Sequence, residues 1–167
     1  MSQALAGPLP AFGQLAMRHR LTLVVAGAGW GKSAMLRGLT ATAPSIEVRR
    51  PVSGWTPFAL AHALVDGIAE HTHRAVTGDL PAYPTPDSPD HRDQIAALAT
   101  TVCAVATSVP DDTLVVLDDV DLTDDDPLVL FLEPLILGLP AKVHLVIACR
   151  TQPNLRIARL RAAGEVA

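Results

Sequence analysis

Apolar and polar positions alternate between two periods along the chain. Three short apolar runs, Leu21–Ala26, Thr113–Leu117 and Val143–Ala148, are of strand length, and Ser45–Arg49 reads as a fourth strand. Between them lie segments of helical spacing. Lys32–Thr42 follows the first strand. Trp55–His73 carries Phe58, Leu60, Ala61, Leu64, Val65 and Ile68 at the intervals of one helix face, and Gln94–Ser108 is an alanine-rich helix. Asp126 and Pro127 start another, with the acid as N-cap and proline at the first helical position, and it stops near Leu137 before Gly138 and Pro140. Leu155–Ala163 reads as a last helix. Residues 1–20 form a lead-in with Pro8 and Pro10, helical from Ala11 to Arg18, and Gly78–Asp90 holds four prolines and reads as a loop. Strands that alternate with helices predict an α/β domain over 21–167 with a right-handed, mainly parallel sheet.

Composition sharpens that expectation. Nearly half of the 167 residues are hydrophobic and 18% are charged, which suits strands buried on both faces. A net charge of −4 argues against a nucleic-acid surface, although Arg150, Arg156, Arg159 and Arg161 collect near the end. No apolar run approaches membrane-spanning length and the N-terminus has no secretory pattern, so the expected setting is cytoplasmic, without a membrane partner. Cys103 and Cys149 fall in apolar contexts and read as buried, reduced thiols. His71 and His73 sit at a predicted helix end, and His144 reads as a packed core residue rather than a ligand.

The segment Leu21–Ser33, LTLVVAGAGWGKS, carries the chemistry. A strand runs into Ala26-Gly27-Ala28-Gly29-Trp30-Gly31-Lys32-Ser33-Ala34, a glycine-rich loop that opens a helix. Small residues let backbone N–H groups point inward as an anion nest, and the helix adds its positive dipole end. Lys32 offers a charge to the β- and γ-phosphates of a nucleotide, and Ser33 a hydroxyl to its Mg²⁺. Ala26 stands where the stricter pattern has glycine, a position that closes the strand and needs no positive φ. Trp30 can shield phosphates or pack on the outer side of the loop. A glycine-rich turn that binds nothing is the bland alternative; the strand before and helix after favour the phosphate loop.

Thr113–Leu117 ends in Asp118 and Asp119, at the strand terminus where parallel α/β sheets place ligands. Asp118 can hold Mg²⁺ directly or through water, and Asp119 can orient or deprotonate an attacking water. Asp121, Asp124, Asp125 and Asp126 fit an acidic loop and helix start. Arg150 closes the next strand and should likewise point to the nucleotide edge, where an arginine stabilises transition-state charge.

Three segments, VVAGAGWGKSAMLRGL, TLVVLDDVDLTDDDPLVLFLEPLILGLP and VHLVIACRTQPNLRIARLRAAGE, together resemble the nucleotide-binding domain of STAND-class P-loop ATPases, specifically those of large LuxR-type, MalT-like transcription regulators. The resemblance runs from about Leu21 to the C-terminus and is weakest over Pro51–Pro110. It implies a P-loop three-layer αβα fold with four to five strands, phosphate and Mg²⁺ on Lys32 and Ser33, Walker B acids at Asp118 and Asp119, and a sensor-like arginine at Arg150. It also implies a slow ATP-driven switch resting with ADP, whose fifth strand would begin near Val166 beside the first and is cut short in this chain.

The resulting expectation is an ATP- and Mg²⁺-binding switch module with weak hydrolysis or none, no DNA binding by this fragment, and self-association through an exposed sheet edge. Two other classes compete. A small-molecule kinase would use Arg156, Arg159 and Arg161 as a lid, and an interaction module would bind no nucleotide.

Overall fold

In the computed structural model, residues 8–51, 54–73, 80–81, 88–120, 122 and 126–167 are described. In chain order the elements are α1 (Pro8–Ala16), β1 (Leu21–Val25), α2 (Lys32–Thr40), β2 (Ser45–Val48), α3 (Pro57–Thr72), α4 (His91–Ala106), β3 (Thr113–Leu117), α5 (Pro127–Gly138), β4 (Val143–Cys149) and α6 (Ala158–Ala162). The four strands make one all-parallel sheet in the order β1-β4-β3-β2. This is the α/β class that the alternation of strands and helices predicts.

Burial of both sheet faces explains the apolar runs. Every residue of β3 and β4 is buried. Along them the side chains alternate between two cores, as the period of two requires. Leu114, Val116, Val146 and Ala148 pack with Leu36 and Leu39 of α2 and Ala16 of α1 on one face. Val115, Leu117, Leu145 and Ile147 pack with α3, α4 and α5 on the other. Helices therefore cover both faces, an arrangement compatible with three αβα layers.

The first helix belongs to the layer beside α2. The chain after it is tied down by polar contacts: the buried His144 ring bonds through Nδ1 to the His19 carbonyl at 3.0 Å. Arg20 donates to Glu165 Oε2 at 2.8 Å and to the Leu139 carbonyl at 2.5 Å. Residues 165–167 come alongside β1, with a parallel bridge between Leu21 and Val166 and bonds from Leu23 N–H to the Ala167 carbonyl (2.9 Å) and from Ala167 N–H to Leu21 (3.0 Å). The outer edge of β1 is thus paired over its first residues rather than wholly open.

Several helix ends follow local chemistry. The Thr56 hydroxyl accepts from Ala59 N–H at 3.1 Å and Asp126 accepts from Leu128 N–H at 2.8 Å, each before a proline at the first helical position. α3 ends with His73 in the left-handed conformation, φ 51°. The last helix is shorter than its spacing suggests, because Leu155 and Ile157 are buried in a non-helical approach and only Ala158–Ala162 coils. The proline-rich stretch 78–90 and Asp121, Asp124 and Asp125 lie largely or wholly outside the described residues.

One expectation about the thiols needs correction. Cys149 is buried, but Cys103 is only partly so, since it lies on α4 against the C-terminal turn of α5. A β-carbon added at Gly138 would come within 2.8 Å of its sulfur. Desolvation pushes the Cys103 thiol up to about 11, with the Arg20 charge pulling weakly the other way. Because the folded value is raised, any contribution of this group to stability is present below about 9 and is lost as pH rises toward about 11. At pH 8 a disulfide reagent should label both thiols slowly in the native protein and quickly in denaturant; rapid native labelling of Cys103 would contradict the packing described.

A second expectation concerns α3 against the edge strand. A β-carbon at Gly67 would sit 2.6 Å from Ile46 Cγ2, and Ile46 is buried. Helix propensity alone favours alanine by about 1 kcal/mol. Overpacking opposes it more strongly, so Gly67→Ala should lower stability by about 1 to 2 kcal/mol in a urea titration. A stabilised variant would mean that the helix can move off the strand freely.

Candidate functional site

The sheet register aligns the groups at one edge. Val48 pairs with Leu117, and Leu117 with Ile147; Val25 pairs with Cys149. Counting onward, Arg50 lies level with Asp119, Arg150 one residue beyond that level, and the glycine-rich loop departs from β1 at the same height. A cavity of about 500 Å³ opens there, lined by Ala28, Gly29, Trp30, Gly31, Lys32, Ser33, Ala34 and Arg37 from the loop and α2, and by Asp118, Asp119 and Arg150. The two remaining loop residues named from sequence, Ala26 and Gly27, are not on its wall. They contribute carbonyls instead.

The loop geometry follows from its glycines. Gly29 and Gly31 have φ of 81° and 76°, a conformation that a side chain would strain. Gly31 is also the N-cap of α2 and gives the helix no side-chain cap. Apart from the turn at Ala28-Gly29, no backbone bond donated by the N–H groups of 27–34 is found among the described residues. The result is a run of unspent donors at a helix start, the arrangement that receives an anion. Lys32 Nζ folds back onto the Ala26 carbonyl and onto that of Gly27 at 2.9 Å, which fixes its charge over the loop. Ser33 is exposed at the cavity wall. Trp30 is 82% exposed, and its ring passes over Gly27, 3.5 Å from where a β-carbon would stand.

Asp118 and Asp119 do not behave alike. Asp118 turns one oxygen inward to accept the Asp119 N–H at 2.9 Å. Asp119 has φ 56°, unusual for a residue other than glycine. Its carbonyl accepts from Trp55 Nε1 at 3.1 Å. Its carboxylate sits between two guanidiniums, with Arg50 at 2.7 Å from Oδ2 and Arg150 at 3.2 Å from Oδ1. Arg37, Arg50 and Trp55 are the participants that sequence reasoning missed. The pair Arg49-Arg50 after a strand has no motif, and the alignment with Asp119 exists only in the sheet register.

Arg156, considered from sequence as a lid residue, lines a separate cavity of about 190 Å³ with Glu133, Arg92 and Asn154, and its backbone N–H donates to Glu133 at 2.6 Å. Among the described residues there is no cluster of three or more His, Cys, Asp or Glu side chains fit to hold a metal by themselves, and no helix long and apolar enough to cross a membrane. No protein-family model matches the chain, and no curated protein matches it.

The surroundings of Asp119 allow a stability test. Its ion pairs are more than a third exposed at every partner, and exposed pairs contribute about 0 to 1 kcal/mol. Relief of its left-handed backbone by glycine is worth about 1 kcal/mol in the opposite direction. Asp119→Gly should therefore unfold within about 1 kcal/mol of the parent in denaturant. A loss above about 2 kcal/mol would identify Asp119 as a structural keystone rather than a site residue.

Proposed function

We propose that this chain binds a nucleoside triphosphate with Mg²⁺ at the glycine-rich loop, and that it is an ATP-responsive switch core of the STAND type, from a MalT-like regulator, with slow turnover or none. The observation that carries this reading is the convergence of Lys32, Ser33, Asp118, Asp119 and Arg150 on one cavity beside a run of unspent backbone donors. Parallel pairing brings the end of β3 to the same edge as the loop after β1, and the residues it places there are two carboxylates, Asp118 and Asp119.

The residues suit the ligand chemically. Triphosphate needs donors and positive charge, which 27–34, Lys32 and Arg150 supply. A hydroxyl and a carboxylate are hard oxygen ligands of the kind Mg²⁺ takes alongside phosphate and water, and Ser33 and Asp118 offer one of each. When bound, the ion neutralises phosphate charge. Asp119 is the acid left to orient a water or take its proton, and its two arginine partners fix where its carboxylate lies. Arg150 lies close enough to Asp119 to answer charge on a terminal phosphate. The resemblance carried by the three sequence segments supports the switch; the site geometry supports the nucleotide.

Lys32→Ala should weaken binding of a fluorescent ATP analogue at least about 30-fold, the loss of a charge-assisted contact worth about 2 kcal/mol, while the melting transition is kept. Asp118→Ala should remove the Mg²⁺ dependence of that binding. Asp119→Asn should retain binding and abolish whatever slow phosphate release the parent shows. Equal affinity of the parent and Lys32→Ala would end the nucleotide reading.

A further inference from the structure

Arg50 has no part in the reading above, yet it makes the shortest ion pair at the site edge. Its guanidinium lies 2.7 Å from Asp119 Oδ2, while Arg150 reaches Oδ1 at 3.2 Å. The three residues follow β2, β3 and β4, three adjacent strands, so the acid stands between two cations that approach from opposite sides. The main chain of Asp119 is pinned independently. Its N–H donates to Asp118 and its carbonyl accepts from Trp55. Only the side chain is left to move, by rotation about its own χ1.

All three side chains are between 38% and 55% exposed. Pairs at such positions are weak and readily exchanged for a better partner. Two converging guanidiniums form a fork that matches phosphate oxygens more fully than it matches one carboxylate. The carboxylate lines the cavity and Arg150 does too. Arg50 is not on the wall itself but contacts Asp119, which is.

We propose that Arg50 is a second phosphate-reading residue, and that Asp119 holds the anion position between Arg50 and Arg150 until the terminal phosphate of a nucleoside triphosphate takes it. Arg50 thereby sets the preference for triphosphate over diphosphate, and the exchange releases the Asp119 carboxylate toward water at the moment the terminal phosphate is seated. The proposal rests on the nucleotide reading and adds a selectivity to it.

The test titrates ATP and ADP, each with Mg²⁺, against the parent, Arg50→Ala, Arg50→Lys, Asp119→Asn and the double variant, with thermal melts as a check of folding. Arg50→Ala should lower ATP affinity about fivefold to tenfold and change ADP affinity less than about twofold, as expected for loss of a partly exposed charge-assisted contact to one phosphate. Arg50→Lys should recover only part of the loss, because an ammonium lacks the planar fork. It also carries the test should Arg50→Ala melt early. Asp119→Asn, which removes the internal competitor, should raise ATP affinity about threefold in the parent background and by less in the Arg50→Ala background, the coupling that a shared partner produces. Equal effects of Arg50→Ala on ATP and ADP, or none on either, overturn the proposal while leaving the nucleotide reading intact. The same gain from Asp119→Asn in both backgrounds also overturns it, since simple repulsion between Asp119 and phosphate then suffices. A parent chain that binds neither nucleotide, in the same way as Lys32→Ala, removes both.

Discussion

Parallel alignment of strands buried on both faces is the constraint from which the site follows. A parallel sheet needs a helical crossover between neighbouring strands, so helices must lie on its faces and its strands must be apolar throughout. β3 and β4 come close to this, with every side chain buried and only Thr113 and His144 polar. Parallel pairing then brings all four carboxyl ends to one edge, and the first polar residues after each strand meet there. From β1 outward to β2 the edge presents the lysine-bearing loop, then Arg150, then Asp119, then Arg50. The single anion among these three partners is flanked by cations because β3 lies between β4 and β2.

The loop after β1 solves a different problem. A helix starting without a side-chain cap leaves backbone donors unspent, a cost that α3 and α5 avoid by Thr56 and Asp126. α2 begins instead with Gly31 in a left-handed conformation, and Lys32 turns its charge onto the carbonyls of Ala26 and Gly27. Positive charge and N–H groups are therefore concentrated at one end of the helix, in the direction of its dipole. Further along α2, Leu36 and Leu39 pack into the core.

What could be read from sequence divides along the same line. β3 was legible residue for residue, because five consecutive buried positions, four of them apolar, leave few alternatives. The loop was legible because glycine spacing and Lys32-Ser33 are local features. Boundaries slipped where tertiary packing overrode local spacing. α4 starts at His91 rather than at Gln94, and burial of Leu155 and Ile157 postponed the last helix. Cys103 looked like a core residue from its apolar neighbours but lies at the margin of the α4–α5 contact. Arg50 and Trp55 were illegible for a deeper reason. Their roles come from which residue the sheet places opposite them, and a sequence carries no register between strands 69 residues apart, the separation of Arg50 and Asp119.

Stability and chemistry are consequently held by different groups in this domain. The two cores contain no member of the charged edge, and the acid and both arginines there are substantially exposed. Exposed pairs contribute little to folding, so selection for stability gives no account of an aspartate in a left-handed conformation held at its amide, its carbonyl and both carboxylate oxygens. Backbone strain that is over-determined by surrounding contacts, at a strand end beside the glycine-rich loop, accords with the site role proposed for Asp119. The parallel sheet supplies the rigidity, and the edge supplies a carboxylate whose main chain is fixed while its charge can change partners.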